Sequence, residues 1–151
     1  MSKIFYLLLV SLVFFACSSD DDIKGNDSIV GKWSYQKITV EVNTNDPATT
    51  VEIKEKLLND RERQGGIEFT EDLVYKYYDP LDSKTYSGTY YFEGNKLYVC
   101  FTDKEGKECD QVAYTLNGNL LDIIHDETEW MKREYPNANV TSAKQKISYF
   151  R

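Results

Sequence analysis

Ile29-Val30-Gly31-Lys32-Trp33-Ser34-Tyr35 is the stretch on which the reading of this chain turns. It opens a long strand pattern that ends near Val42. Trp33 and Tyr35 share one face, whereas Ile38, Val40 and Val42 have the other parity. Side chains alternate across a strand, so this change of phase would turn half the apolar set outward. One extra residue at Gln36-Lys37, a β-bulge, keeps both sets inward and bends the strand.

Downstream, Pro47-Ala48 precedes Thr49, and Glu52 follows three residues later. This capping-box spacing predicts a helix over 49–64, stopped by Gly65-Gly66. Its apolar stripe (Val51, Ile53, Leu57 and Leu58) is partial, which suits a helix lying across one mouth of a barrel. Whether it is a moving lid or fixed packing stays open. Hairpins follow. Ile67 to Thr70 turns at Glu71-Asp72 and returns from Val74 to Tyr78, and a three-residue turn there puts Leu73 in a left-handed conformation. Gly94-Asn95 pairs Phe92 with Leu97 and Tyr90 with Val99. Asn117-Gly118 places Tyr114 opposite Leu121 and Val112 opposite Ile123. Asp126 caps a short second helix carrying Trp130 and Met131, which Pro136 ends. Lys144 to Arg151 alternates as the closing strand, with Ile147 and Tyr149 on one face.

The expectation is a mainly β fold: an eight-stranded antiparallel up-and-down β-barrel with two short helices. Pairing the last strand with the first removes both exposed edges. A two-sheet sandwich is the competing architecture. The Gly-x-Trp that opens a bent first strand, with the hairpin order behind it, resembles the lipocalins over roughly residues 29 to 151. The chain is most similar to the small lipocalin-like (calycin-type) domains of bacterial lipoproteins. The resemblance implies that Arg151, near the chain end, packs over Trp33; a frayed terminal arginine is the alternative.

The chain has 151 residues and a net charge of −7, with twelve Tyr, seven Phe and two Trp. One domain with a single core fits this length, and the aromatics favour β structure. The acidic balance argues against nucleic acid as a partner, because phosphate binding needs a basic face. Ile4 to Ala16 is apolar except for Ser11, and Lys3 is the one charge ahead of it. That run is shorter than the roughly 20 residues a spanning helix needs and has the proportions of a signal-peptide core. Phe14-Phe15-Ala16-Cys17 resembles a bacterial lipobox, which implies cleavage before Cys17 and its acylation, palmitate included. Ser18-Ser19-Asp20-Asp21-Asp22 resembles the surface-export signal of Bacteroidota outer-membrane lipoproteins, and Asp27-Ser28-Ile29 resembles an O-glycosylation motif of that phylum. The domains are therefore read as 1–16 signal peptide, 17–28 lipidated flexible tether and 29–151 barrel. The expected place is the outer membrane, lipid-anchored and exposed at the cell surface.

Cys100 and Cys109 flank one hairpin and share a face if Val99 and Val112 both point inward, which favours a disulfide in an oxidising compartment. Two free thiols are the alternative. The chain has one histidine, His125, on the inward parity of Leu121 and Ile123. It reads as a structural histidine, since no nucleophile elbow accompanies it and two cysteines with one distant histidine do not complete a zinc site. No catalytic residue, metal or cofactor is expected, and the chain is read as non-enzymatic. Asp103, Glu105, Glu108 and Asp110 read as a solvated turn.

Trp33, Tyr35, Phe69, Tyr75, Tyr77, Tyr86, Tyr90, Phe92, Phe101 and Tyr114 alternate consistently with barrel-facing positions. Tyrosine brings an apolar ring and a hydroxyl that needs a partner when buried. These residues are the candidate ligand-binding set, for a small apolar or amphipathic molecule. The alternative is that the rings fill the barrel and the domain is a protein-interaction or inhibitor module, accessory to an envelope complex.

Overall fold

The computed structural model describes residues 28–102 and 106–151. The signal-peptide, Cys17 and tether expectations fall outside these residues up to position 27, as do Asp103 and Glu105 of the acidic turn. The strands run β1 (Gly31–Asn43), β2 (Gly66–Phe69), β3 (Val74–Tyr78), β4 (Thr85–Glu93), β5 (Lys96–Thr102), β6 (Lys107–Asn117), β7 (Leu120–Asp126) and β8 (Ser142–Phe150). Helix α1 (Pro47–Leu58) and a 3-10 turn at Arg61–Arg63 lie between β1 and β2, and α2 (Thr128–Glu134) lies between β7 and β8. Each strand pairs antiparallel with its chain neighbour, and β8 returns to β1, so the sheet closes as a barrel rather than a sandwich.

Closure is uneven. β1 pairs with β2 only over Gly31–Trp33, then with β8 from Ser34 to Asn43. The register shifts between Tyr35 and Lys37, so Gln36 is the extra residue of the expected bulge. The bulge brings Ile38, Val40 and Val42 round to the side of Trp33.

The turns show which local chemistry prevailed. Leu73 has φ 61°, as the three-residue turn requires, and the Thr70 amide donates to the Val74 carbonyl at 2.9 Å. Gly94 (φ 60°) makes the expected turn, with Phe92 opposite Leu97 and Tyr90 opposite Val99. The last hairpin corrects the expected register: Tyr114 faces Ile123 and Leu116 faces Leu121. The turn residues are Gly118-Asn119, because Gly118 (φ 58°) takes the first turn position, where a II′-type turn favours glycine. Moving the partner by two residues keeps every side chain on its predicted face.

Helix α1 also starts earlier than expected. Asp46, not Thr49, is the N-cap; its carboxylate accepts from the amides of Ala48 (3.3 Å) and Thr49 (3.1 Å), and Pro47 takes the first turn. The helix ends at Asn59, and the segment expected to carry it on to Gln64 is the 3-10 turn. Ile53 and Leu57 of α1 pack with Val42, Met131, Ala138, Val140 and Ala143 in a small second core. Lys56 lies 4.6 Å from the Trp130 ring centre and pairs with Glu134, joining the two helices. Helix α1 thus packs against both the barrel end and α2.

The main core fills the barrel centre. Trp33, Ile67, Phe69, Leu97, Leu121 and Ile147 are all within 1 % of full burial. These side chains pack against one another as one cluster across the middle of the barrel.

Candidate ligand-binding site

The barrel has two unlike ends. At the first lie the short turns and the two ends of the described chain. There the Trp33 indole N–H donates to the Ile29 carbonyl at 2.7 Å, and Ile29 is itself buried. The Arg151 guanidinium stands 4.7 Å from the centre of the Trp33 ring and donates to the Ser28 and Val30 carbonyls at 3.0 and 3.2 Å. The Tyr90 hydroxyl donates to the Thr70 carbonyl at 2.8 Å. Polar groups beside the core at this end find protein partners.

The second end carries α1, the 3-10 turn and α2. Under the 3-10 turn a recess of about 160 Å³ reaches into the barrel, lined by Glu62, Arg63, Tyr75, Tyr77, Phe101, His125, Ile147 and Tyr149. Arg63 spans its mouth, bonded to Glu127 and to the Gln145 side-chain oxygen, both at 2.7 Å, and to Asp60 at 3.3 Å. The Gln145 amide in turn donates to the Leu57 carbonyl at the end of α1 (2.7 Å), which anchors the arm to the second core. The Tyr77 hydroxyl donates to the Glu62 carbonyl.

The remaining polar groups of the recess have no such partners. Tyr149 is 3 % exposed, yet no described residue hydrogen-bonds its hydroxyl, that of Tyr75 or the His125 imidazole. None of these atoms is sealed off in apolar packing, so they open onto the recess. Burial pushes Tyr75 and Tyr149 well above the ordinary tyrosine range and Tyr77 up to about 12. Burial first, and the Arg63 charge second, push His125 down to about 3. At neutral pH the site therefore offers phenol O–H donors and an uncharged imidazole with one donor and one acceptor nitrogen.

Six of the sequence-selected aromatics form a connected row through the barrel: Phe101–Tyr75–Phe69–Tyr90–Phe92–Tyr114, with ring centres 4.9 to 6.0 Å apart. They do not line one cavity. Trp33, Phe69 and Tyr90 are packed core, and Tyr35 packs partly buried against it. Tyr75, Tyr77 and Phe101 reach the recess. Phe92 and Tyr114 belong to a broad cleft of about 680 Å³ at the first end. Tyr86, opposite Tyr77 in register, is 43 % exposed at the rim and bonds Asp82 at 2.7 Å. Glu62, Arg63, Ile147, Tyr149 and His125 complete the recess and lie outside the candidate ligand-binding set. Tyr149 and His125 had the right parity; Arg63 was concealed in a stretch read as helix.

Two local features hold the recess walls in place. Gly88 lies opposite Tyr75; a Cβ there would stand 2.1 Å from the Cys100 carbonyl and 3.1 Å from the Phe101 ring. Its missing side chain lets Tyr75 and Phe101 meet edge to face, 5.5 Å apart. Next to Phe101, Cys100 and Cys109 are directly opposite, with Cα atoms 4.0 Å apart and the sulfurs at bonding distance. Among the described residues no cluster of three or more potential metal ligands occurs.

The family model of the lipocalin-like domain matches residues 29–123, which include the Trp33 strand and both Gly-Asn hairpins. The chain belongs to the lipocalin-like domain family. Such domains are in general binding folds without catalytic activity. No curated protein and no solved structure matches the chain.

Proposed function

We propose that this protein is a lipid-anchored lipoprotein of the bacterial outer membrane, exposed at the cell surface. Its barrel carries a small amphipathic ligand, without catalysis, in the recess under the 3-10 turn. The observation that carries the binding reading is Tyr149: the residue is 3 % exposed, and its hydroxyl has no partner among the described residues and opens onto a recess walled by aromatic rings. A hydrogen bond from a bound molecule to that hydroxyl contributes about 0.5–1.5 kcal/mol. The anchor reading rests on the apolar run Ile4–Ala16, Cys17 behind it and the acidic Ser18–Asp22 stretch. The Cys100–Cys109 pair suits the oxidising compartment that export implies.

The binding test is native mass spectrometry of the chain after incubation with host envelope extract. A discrete added mass, lost on denaturation, is expected; its absence from repeated extracts refutes carriage. The anchor is tested by metabolic labelling with an alkyne fatty acid: label on the wild type and none on Cys17→Ser is expected. Label retained by that variant places the modification elsewhere.

A second reading, an interaction module with a filled barrel, draws on the packed centre and on one apolar surface pair. Leu120 and Phe150 face each other across β7 and β8 and are 45 and 50 % exposed. This reading predicts that a Leu120→Lys, Phe150→Lys variant loses a recurrent envelope partner in pull-downs while keeping its fold.

A further inference from the structure

Three properties of the recess narrow what it accepts. The first is size. A cavity of about 150 Å³ holds one benzene ring, and the recess has about 160 Å³. A fatty-acyl chain or sterol would have to displace the packed centre formed by Phe69, Leu97 and Ile147.

The second is the placement of polar atoms. The rings of Tyr75, Tyr77 and Phe101, with Ile147, form apolar walls suited to a flat molecule. The Tyr75 and Tyr149 hydroxyls and the His125 imidazole are available for bonding there. A purely hydrocarbon ligand would leave them unbonded, and a site built to hydrogen-bond its ligand rejects analogues that lack the group.

The third is charge. Arg63 is committed to Glu127, Asp60 and Gln145 and presents no spare cation. Glu62 lines the recess, and the exposed Glu108 and Asp110 share the parity of inward-facing Val112 on the β6 wall. These carboxylates oppose an anion. A cation would have to enter beside the Arg63 guanidinium, the same charge that disfavours a protonated His125.

We propose that the recess binds an uncharged single-ring aromatic compound bearing a hydroxyl or ring N–H, stacked among Tyr75, Tyr77 and Phe101 and hydrogen-bonded by Tyr149 and His125. This rests on the ligand-carriage reading and deepens it.

His125 is the only histidine in the chain, so one isotope-labelled histidine signal reports the site. The experiment titrates the full-length labelled chain with phenol, toluene, benzoate and tetramethylammonium, compared at equal free concentration. Phenol is expected to shift the His125 signal saturably, with the other three at least about fivefold weaker, the value of one hydrogen bond. Tyr149→Phe keeps the ring and is expected to weaken phenol about fivefold, with its melting temperature nearly unchanged. Toluene matching phenol, or a Tyr149→Phe variant that binds phenol like wild type, overturns the assigned hydrogen bonding. Tighter binding of benzoate or tetramethylammonium overturns the neutral ligand. Silence with all four probes overturns the inference outright. If the envelope extract still gives a bound mass in that case, carriage stands and its site lies elsewhere; if it gives none, both fall.

Discussion

The two ends of the barrel are built from similar residues and treat them oppositely. At the first end Trp33, Arg151 and Tyr90 each find a backbone carbonyl. At the second, Tyr149, Tyr75 and His125 find no described partner and open onto a recess. Satisfied groups of this kind fix a structure, whereas unsatisfied ones hold interaction free energy in reserve for something else. The means of support differ too. The first end closes by packing on the ends of the described chain. The second is held by the Cys100–Cys109 bridge, the Arg63 arm and the small helical core.

The contrast can be broken at either end. The largest effect is expected from Trp33→Ala, which empties the closed end. It should cost about 3–5 kcal/mol in denaturant unfolding, because a fully buried ring leaves a cavity behind. A cost below 1 kcal/mol would mean that the first end is not the structural one. Replacing Cys100 and Cys109 together by Ser should cost about 2–3 kcal/mol, the chain-entropy value for so short a loop. In a Trp130→Phe background the same variant should leave the fluorescence of Trp33 native-like, since the bridge supports the other end.

The third prediction concerns pH. His125 has a folded pKa near 3 against an ordinary 6.5, so between these values the unfolded chain binds the extra proton. Stability therefore falls as pH drops through this window. From pH 7 to pH 5 the loss should be at most about 2 kcal/mol. The part of the window above pH 5 lies above the ordinary carboxylate range and so ahead of Asp46, Glu68, Asp82 and Asp126, whose pKa values are held low by hydrogen bonds. His125→Gln should flatten the profile above pH 5; an unchanged profile would place the sensitivity elsewhere.

The smallest effect is the sharpest. Tyr90→Phe and Tyr149→Phe remove the same atom from opposite ends. The first should cost about 1 kcal/mol, since it breaks the bond to the Thr70 carbonyl. The second should cost almost nothing or stabilise slightly, because its hydroxyl has no partner to lose. Equal costs would mean the two ends do not differ as described.

The sequence by itself determined the strands, their order and nearly all of their faces. Alternation is local, and Gly94 and the Thr70–Leu73 turn fix register through backbone geometry that neighbouring residues set. Even the misread turn at Gly118 kept its faces, because the register moved by two. The Gln36 bulge was legible because an odd change of phase in an otherwise apolar strand has few other remedies. Which aromatics form packed core and which reach a cavity was decided only by the tertiary structure. Parity gives the side of a sheet, not the depth along a barrel axis. Phe69, Tyr75 and Tyr86 share the inward parity, yet one is buried, one borders the recess and one lies at the rim. That depth depends on strand tilt, the short β1–β2 seam and the place where Arg63 crosses the mouth. Two of the partners of Arg63, Glu127 and Gln145, are more than sixty residues away, and only the closed barrel brings them together.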